Sequence, residues 1–200
     1  RAYNGDQMPP GWKIIDSVLT FKTEQILEQD YNYKGNRDIM YGEEEFENFE
    51  LYLEWKIPKG GNSGIYYHIK EGYGGFTDMA PEYQLLDDEN YAEIHDYELK
   101  DWQLTAADYA MHVPDTTQKV LYPPGQWNSS RIIFTPNNVE HWLNDKKVLS
   151  FIPWTEQWYE KRNSGKWDNF PDYGKYKKGY IGLQDHGSNL WFRNIKIKKL

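Results

Sequence analysis

The chain has 200 residues, 31 acidic and 23 basic, for a formal net charge of −8. An acidic balance with no basic stretch excludes a nucleic-acid phosphate backbone as partner and argues against membrane insertion or anionic lipid surfaces. There is no cysteine, so disulfides and thiolate chemistry are excluded, and no apolar run approaches the ~20 residues of a membrane span.

This length suits a single domain over residues 1–200, and the elements read in chain order are almost all strands. Residues 1–11 are polar, close on Pro9-Pro10-Gly11 and read as a lead-in. The opening Arg1 shows no signal peptide, as expected of a processed chain. Across residues 12–27 the loose apolar pattern of Val18, Leu19, Phe21, Ile26 and Leu27 predicts two short strands. Residues 28–42 read as a loop with one strand near Ile39-Met40-Tyr41. The clearest alternation runs over 46–57: Phe49, Leu51, Leu53, Trp55 and Ile57 fall on one side, Glu50, Tyr52, Glu54 and Lys56 on the other. Pro58 stops this half-buried strand, Gly60-Gly61-Asn62 turns the chain, and residues 64–70 begin the next strand, which predicts a hairpin.

Residues 71–80 form a Gly-rich loop before a strand at 81–86, and 87–124 is irregular. An irregular stretch of that length in a compact domain is usually functional. Strands return at 127–134, 139–143 and 147–151, with a turn at Asn144-Asp145. One short helix fits within 154–176, and strands at 180–185 and 190–200 close the chain. Ten to twelve strands with little helix predict a sandwich of two antiparallel sheets.

Two segments break the greasy pattern of such strands, Pro81-Glu82-Tyr83-Gln84-Leu85-Leu86-Asp87 and Gln184-Asp185-His186-Gly187. Strand parity puts Glu82 and Gln84 on one face, and Gln184 with His186 on one face. By the same parity His68 shares a face with Tyr66, while Asp185 points away from His186. A sheet face carrying carboxylate, amide and imidazole suits a polar ligand. With nine Trp, seventeen Tyr and eight Phe in the chain, the expected ligand is a carbohydrate.

Four motifs occur in order: Gly60-Gly61-Asn62-Ser63-Gly64-Ile65, then 81–87, then His141-Trp142-Leu143-Asn144, then Gly182-Leu183-Gln184-Asp185-His186-Gly187 followed by Phe192-Arg193-Asn194-Ile195. Together they resemble the 3-keto-disaccharide hydrolase family from about residue 12 to residue 200. The resemblance implies a concanavalin A-like jelly-roll sandwich with its site on the concave sheet, and cleavage of glycosides oxidised at C3. It also implies bacterial export, to the periplasm, the cell surface or the medium. His68 departs from the pattern, since that strand often carries Arg.

A 3-keto group acidifies the C2 proton, so the implied reaction needs a base near C2, a donor near the C3 oxygen and an acid near the glycosidic oxygen. Glu82 and His186 are the candidates for proton transfer. Tyr66, His68, Gln84, His141, Trp142, Gln184 and Arg193 are candidates for substrate binding, and Trp191 is a second possible stacking platform. Arg193 either donates to the keto oxygen or ties its strand to a neighbouring carboxylate, and Glu82 alternatively forms a buried ion pair with Arg193. His68, Glu82, His141 and His186 together would suit a divalent metal ion, and Asp87-Asp88-Glu89 would suit Ca²⁺ or simply form an acidic turn. Two other functions stay open. A laminarinase-like glucanase would need Glu-x-Asp-x-x-Glu, which Gln84 and Asp87 break here; a non-catalytic carbohydrate-binding module would need only the rings and amides.

Overall fold

The computed structural model describes residues 1–23 and 37–200. Its eleven described strands form two antiparallel sheets around a shared core. They are β1 (Trp12–Ile15), β2 (Val18–Phe21), β3 (Ile39–Phe46), β4 (Phe49–Lys56), β5 (Asn62–Ile69), β6 (Glu82–Leu86), β7 (Asn128–Thr135), β8 (Asn138–Leu143), β9 (Lys146–Phe151), β10 (Gly179–Leu183) and β11 (Leu190–Lys199). The larger sheet has the order β1-β2-β11-β4-β7-β8-β9 and the smaller β3-β10-β5-β6. Two short helices, α1 (Tyr91–His95) and α2 (Glu156–Arg162), sit in the connections. The Ile26 and Leu27 positions of the expected second strand lie outside the described residues.

The alternation in β4 works as its sequence dictates: Phe49, Leu51, Leu53 and Trp55 are buried while the residues between them are half-buried. Phe49 stacks on Phe134 of β7 at 5.9 Å, and Tyr67 from the other sheet packs tilted against Phe134 at 5.5 Å. Burial of such rings supplies most of the stabilisation of a two-sheet core, roughly 1.5–3 kcal/mol for each large apolar side chain. Trp55 avoids an orphaned indole N–H by donating to Ser130 Oγ at 2.8 Å. The β1–β2 and β8–β9 turns place Asp16-Ser17 and Asn144-Asp145 at positive φ, the geometry that matches strand twist in two-residue hairpins.

The structure corrects two expectations about the elements. The alternating run over 46–57 is not one strand: β3 ends at Phe46, the chain turns, and β4 begins at Phe49 in the opposite sheet. β4 and β5 do not form a hairpin either, because the Gly60-Gly61 link crosses from one sheet to the other. The first eleven residues are anchored, with Ala2 bridging Ile39 and Tyr3 packed edge-on to Phe76 at 5.0 Å.

The outer face of the smaller sheet is divided. One end is closed by an apolar cluster in which Tyr3, Phe76, Met79 and Ala80 cover Met40, Tyr66 and Ile69. The other end carries Asn62, Gly64, Glu82 and Gln84, and there the polar side chains gather. Beyond β6 the sheet continues irregularly: Ala106 and Tyr109 donate their N–H groups to the carbonyls of Gln84 and Glu82 at 2.9 and 3.0 Å. This positions residues 91–112 as a wall along the polar end.

Candidate active site

Glu82 stands at the start of β6, paired in register with Tyr66 of β5. Alternation turns both side chains away from the core, since Tyr83 and Ile65 point into it. Tyr66 Oη donates to Glu82 Oε2 at 2.6 Å, and Gln184 Nε2 donates to Tyr66 Oη at 3.1 Å. Gly64 makes this possible, because a Cβ at that position would collide with Glu82 Oε1. The carboxyl is 3% exposed. Burial lifts its pKa to about 8, opposed by the Tyr66 hydrogen bond and by the charge of Lys166, and assisted by Asp38 and Asp108. A buried carboxyl whose pKa is pushed toward neutrality beside a tyrosine hydroxyl is a common sign of proton-transfer chemistry.

Lys166 comes from the connection after α2. Its ammonium lies over the Tyr109 ring at 4.2 Å and the Trp167 ring at 4.9 Å, and partial desolvation lowers its pKa while Glu82 raises it. Trp167 Nε1 donates to the Tyr109 carbonyl at 3.2 Å, fixing the segment that holds the lysine. Tyr109 Oη accepts from Gln103 Nε2 at 3.3 Å, and Gln103 also bonds Tyr97. Lys166 and Tyr109 therefore offer a cation and a hydroxyl beside Glu82. Strand parity does not reveal either of them; the signal is the tyrosine- and lysine-rich character of the long irregular connections.

The other expected site residues divide. Tyr66, Glu82, Gln84 and Gln184 come together on the outer face of the smaller sheet, with Gln84 buried and Gln184 half-buried. His186 does not join them by strand parity, because β10 ends at Leu183 and residues 184–187 turn outward to Gly187 at φ +78°. His186 is exposed there, beside an Asp185 whose Oδ1 accepts from the Gly187 N–H at 2.7 Å.

His68 faces the core rather than sharing a face with Tyr66. The β5–β10 register shifts opposite Ile181, and His68 adopts φ 57°, the mark of a β-bulge that turns two consecutive side chains inward. Its ring lies 4.4 Å from Phe134, Nε2 bonds the Glu47 carbonyl at 2.9 Å, and burial lowers its pKa to about 4. His141 is likewise in the core, with Nδ1 on the Ala106 carbonyl at 2.9 Å and a pKa lowered by burial to about 4.

Arg193 and Trp142 belong to the outer face of the larger sheet, across the sandwich from Glu82. Arg193 Nε donates to Glu54 Oε2 at 2.6 Å and its guanidinium covers Trp127 at 4.1 Å, so it ties β11 to a neighbouring carboxylate and forms no ion pair with Glu82. Trp142 is covered by Arg131 at 4.1 Å and donates to Glu140 at 2.8 Å. Trp191 lies under Lys56 at 4.7 Å.

The proposed metal set does not converge, with His68 and His141 inside the sandwich and His186 on an outer turn. No group of three or more His, Asp or Glu suited to a metal occurs among the described residues. The Asp87-Asp88 pair is structural: Asp87 accepts from the Gly60 N–H at 2.8 Å and from Asn90, while Asp88 accepts from the Thr105 N–H and pairs with Lys119.

Fold and site together define a two-sheet jelly-roll sandwich that carries a buried cluster of carboxyl, phenol and amide groups on the outer face of its smaller sheet. The chain belongs to the family described as the 3-keto-alpha-glucoside-1,2-lyase-like domain, whose model matches residues 1–198. A 3-keto-disaccharide hydrolase of Bacteroides thetaiotaomicron is 35% identical over 221 aligned residues, covering 100% of this chain and 74% of that protein. A crystal structure from Parabacteroides distasonis, provisionally named a glycosyl hydrolase, superposes with a TM-score of 0.87 at 41% identity over 100% of this chain and 88% of that one. A Bacillus subtilis carbohydrate-binding module matches 95% of this chain and 92% of its own at TM-score 0.56 and 10% identity, which shows a shared fold. The family and the similar structures support a glycosidase-like function on carbohydrate.

Proposed function

We propose that the protein cleaves 3-keto-glycosides by elimination and rehydration, with Glu82 as the group that moves the C2 proton. The observation that carries this reading is the Glu82 carboxyl itself, desolvated to a pKa of about 8 and aimed by the Tyr66 hydroxyl on the polar end of the smaller sheet. A general base is most effective when its pKa lies near the operating pH. Burial raises its basicity toward the operating pH.

In the first step Glu82 removes the proton from C2, and the C2–H electron pair becomes the C2=C3 bond of an enolate with its charge on the C3 oxygen. Lys166 and Tyr109 are the donors beside Glu82 for that charge, the largest electrostatic contribution such a site can make. The enolate then collapses: the ketone re-forms, C1=C2 forms, and the bond from C1 to the glycosidic oxygen breaks. The departing oxygen takes from Glu82 the proton that came from C2 and leaves as an alcohol. Glu82, now a carboxylate again, takes a proton from the water whose oxygen adds to C1 of the enone and passes that solvent proton to C2, so the sum is hydrolysis.

Two flanking carboxylates are not required by this chemistry, in contrast to hydrolysis through an oxocarbenium ion. That difference separates this reading from a glucanase, and turnover separates it from a binding module. Incubation with a 3-keto-glucoside and with its unoxidised parent is expected to give cleavage of the keto form alone. Cleavage of both would favour an ordinary glycosidase, and binding without turnover a module.

A further inference from the structure

The β-bulge in β5 turns Tyr67 and His68 inward together, and the neighbouring strand is shaped to hold it. His68 stands at φ 57°, and Gly179 of β10 lies so close that a Cβ there would collide with the His68 main chain. Both side chains are buried, at 0% exposed for Tyr67 and 1% for His68. Asp108, also buried, belongs to the irregular continuation of the sheet beyond β6, where it bridges Tyr83.

Tyr67, His68 and Asp108 line one cavity, whose other walls include Phe134, Phe151, Trp154 and Trp158. The space open to the centre of a water molecule there is about 10 Å³, room for about one. Each of the three residues brings to it one buried polar atom without a partner: Tyr67 Oη, His68 Nδ1 and Asp108 Oδ1. Native structures seldom leave such atoms unsatisfied. The remaining polar atoms of two of them are already engaged. His68 Nε2 bonds the Glu47 carbonyl at 2.9 Å, and Asp108 Oδ2 accepts from His112 Nδ1 at 2.8 Å.

These engagements fix what each free atom can do. A carbonyl only accepts, so Nε2 carries the ring hydrogen of His68. Burial keeps that ring neutral near pH 7, which leaves Nδ1 as an acceptor. The Tyr176 carbonyl also approaches the ring, but one acceptor cannot satisfy another. Asp108 Oδ1 is a second acceptor, and the Tyr67 hydroxyl supplies a donor. The cavity therefore calls for a group the size of one heavy atom that gives two hydrogens and takes one. An ammonium ion has no lone pair to take the tyrosine hydrogen. Water meets all three requirements.

We propose that this cavity is an ordered-water site, in which one water donates to His68 Nδ1 and Asp108 Oδ1 and accepts from Tyr67 Oη. The site gives the inward turn of His68 a physical reason, since the bulge delivers two of the three partners. The water ties β5 to the segment of Asp108, whose next residue is Tyr109. The roof over it is fixed, because Trp154 Nε1 donates to the Gly174 carbonyl at 2.7 Å and Trp158 packs against the bare Cα of Gly174. The site stands whether or not Glu82 moves a proton.

A crystal structure of the wild-type protein, at a resolution that shows ordered solvent, tests this without any substitution. One isolated density peak is expected within about 2.5–3.2 Å of all three atoms. A cavity without a peak overturns the site, as does a His68 ring whose Nδ1 pairs within the protein. In solution, oxygen-17 relaxation dispersion counts the waters that are held longer than the protein tumbles. Asp108→Leu, which puts methyl groups where the carboxyl stood, is expected to lower that count by one. An equal count in the wild type and the variant overturns the site.

Discussion

Glu82→Gln is expected to lower kcat on a 3-keto-glucoside by about 10²–10⁴-fold, the usual worth of a positioned general base, while KM changes little. The amide is nearly isosteric, so its oxygen still accepts from Tyr66 and the collision that Gly64 avoids stays avoided. Only the ability to take a proton is removed. Steady-state kinetics with the wild type alongside check this, and an unaltered kcat would remove Glu82 from the mechanism. For the wild type, kcat/KM should rise with pH until it levels near pH 8, because burial holds the carboxyl protonated below that point. This rise should be absent from any residual activity of the variant.

The second large effect is on stability, and three buried groups determine it. Glu82 has its folded pKa raised to about 8 from 4.5, so its contribution is fully present below pH 4.5 and is lost as pH rises through 8. His68 and His141 have folded pKa values lowered to about 4 from 6.5. Their contribution is fully present above pH 6.5 and is lost as pH falls through 4. Between 4.5 and 6.5 the two histidines outweigh the one carboxyl, and above 6.5 the carboxyl acts alone.

Stability should therefore peak near pH 6.5, with an acid limb on the order of 3 kcal/mol per histidine and an alkaline limb of similar order. Urea unfolding from pH 4 to 9 measures both limbs. Glu82→Gln should flatten the alkaline limb and steepen the acid limb between pH 4.5 and 6.5, where the carboxyl opposes the two histidines. An alkaline limb that persists in the variant would mean that Glu82 is not the desolvated group described here.

How far the sequence discloses these features depends on whether they are local. The β4 alternation from Phe49 to Trp55 is local, and it appears in the fold unchanged. So do the pairing of Glu82 with Gln84 on one face and the turn at Asn144-Asp145. His68 is different: a single extra residue in β5 reverses its direction, and a bulge is set by the partner strand β10 rather than by β5's own residues. The β4–β5 link misleads for a similar reason, since a Gly-Gly turn looks the same whether it closes a hairpin or crosses between sheets.

His186 fails because parity holds only inside a strand and β10 stops three residues earlier. Arg193 and Trp142 fail because parity cannot say on which side of a two-sheet sandwich an outward face lies. Lys166 and Tyr109 are the residues that sequence reasoning missed. Both approach Glu82 from connections distant in sequence, and only packing such as the Trp167–Tyr109 hydrogen bond places them.

The most direct test of proton removal at C2 is turnover of a 3-keto-glucoside in D₂O, with the released 3-keto sugar examined by NMR or mass spectrometry against an enzyme-free control. Elimination followed by rehydration must place solvent deuterium at C2 of every product molecule, in step with cleavage, and Glu82→Gln should abolish both together. Product released by the wild type with its C2 hydrogen retained would show that the glycosidic bond breaks without an enolate, and the role assigned to Glu82 would fall.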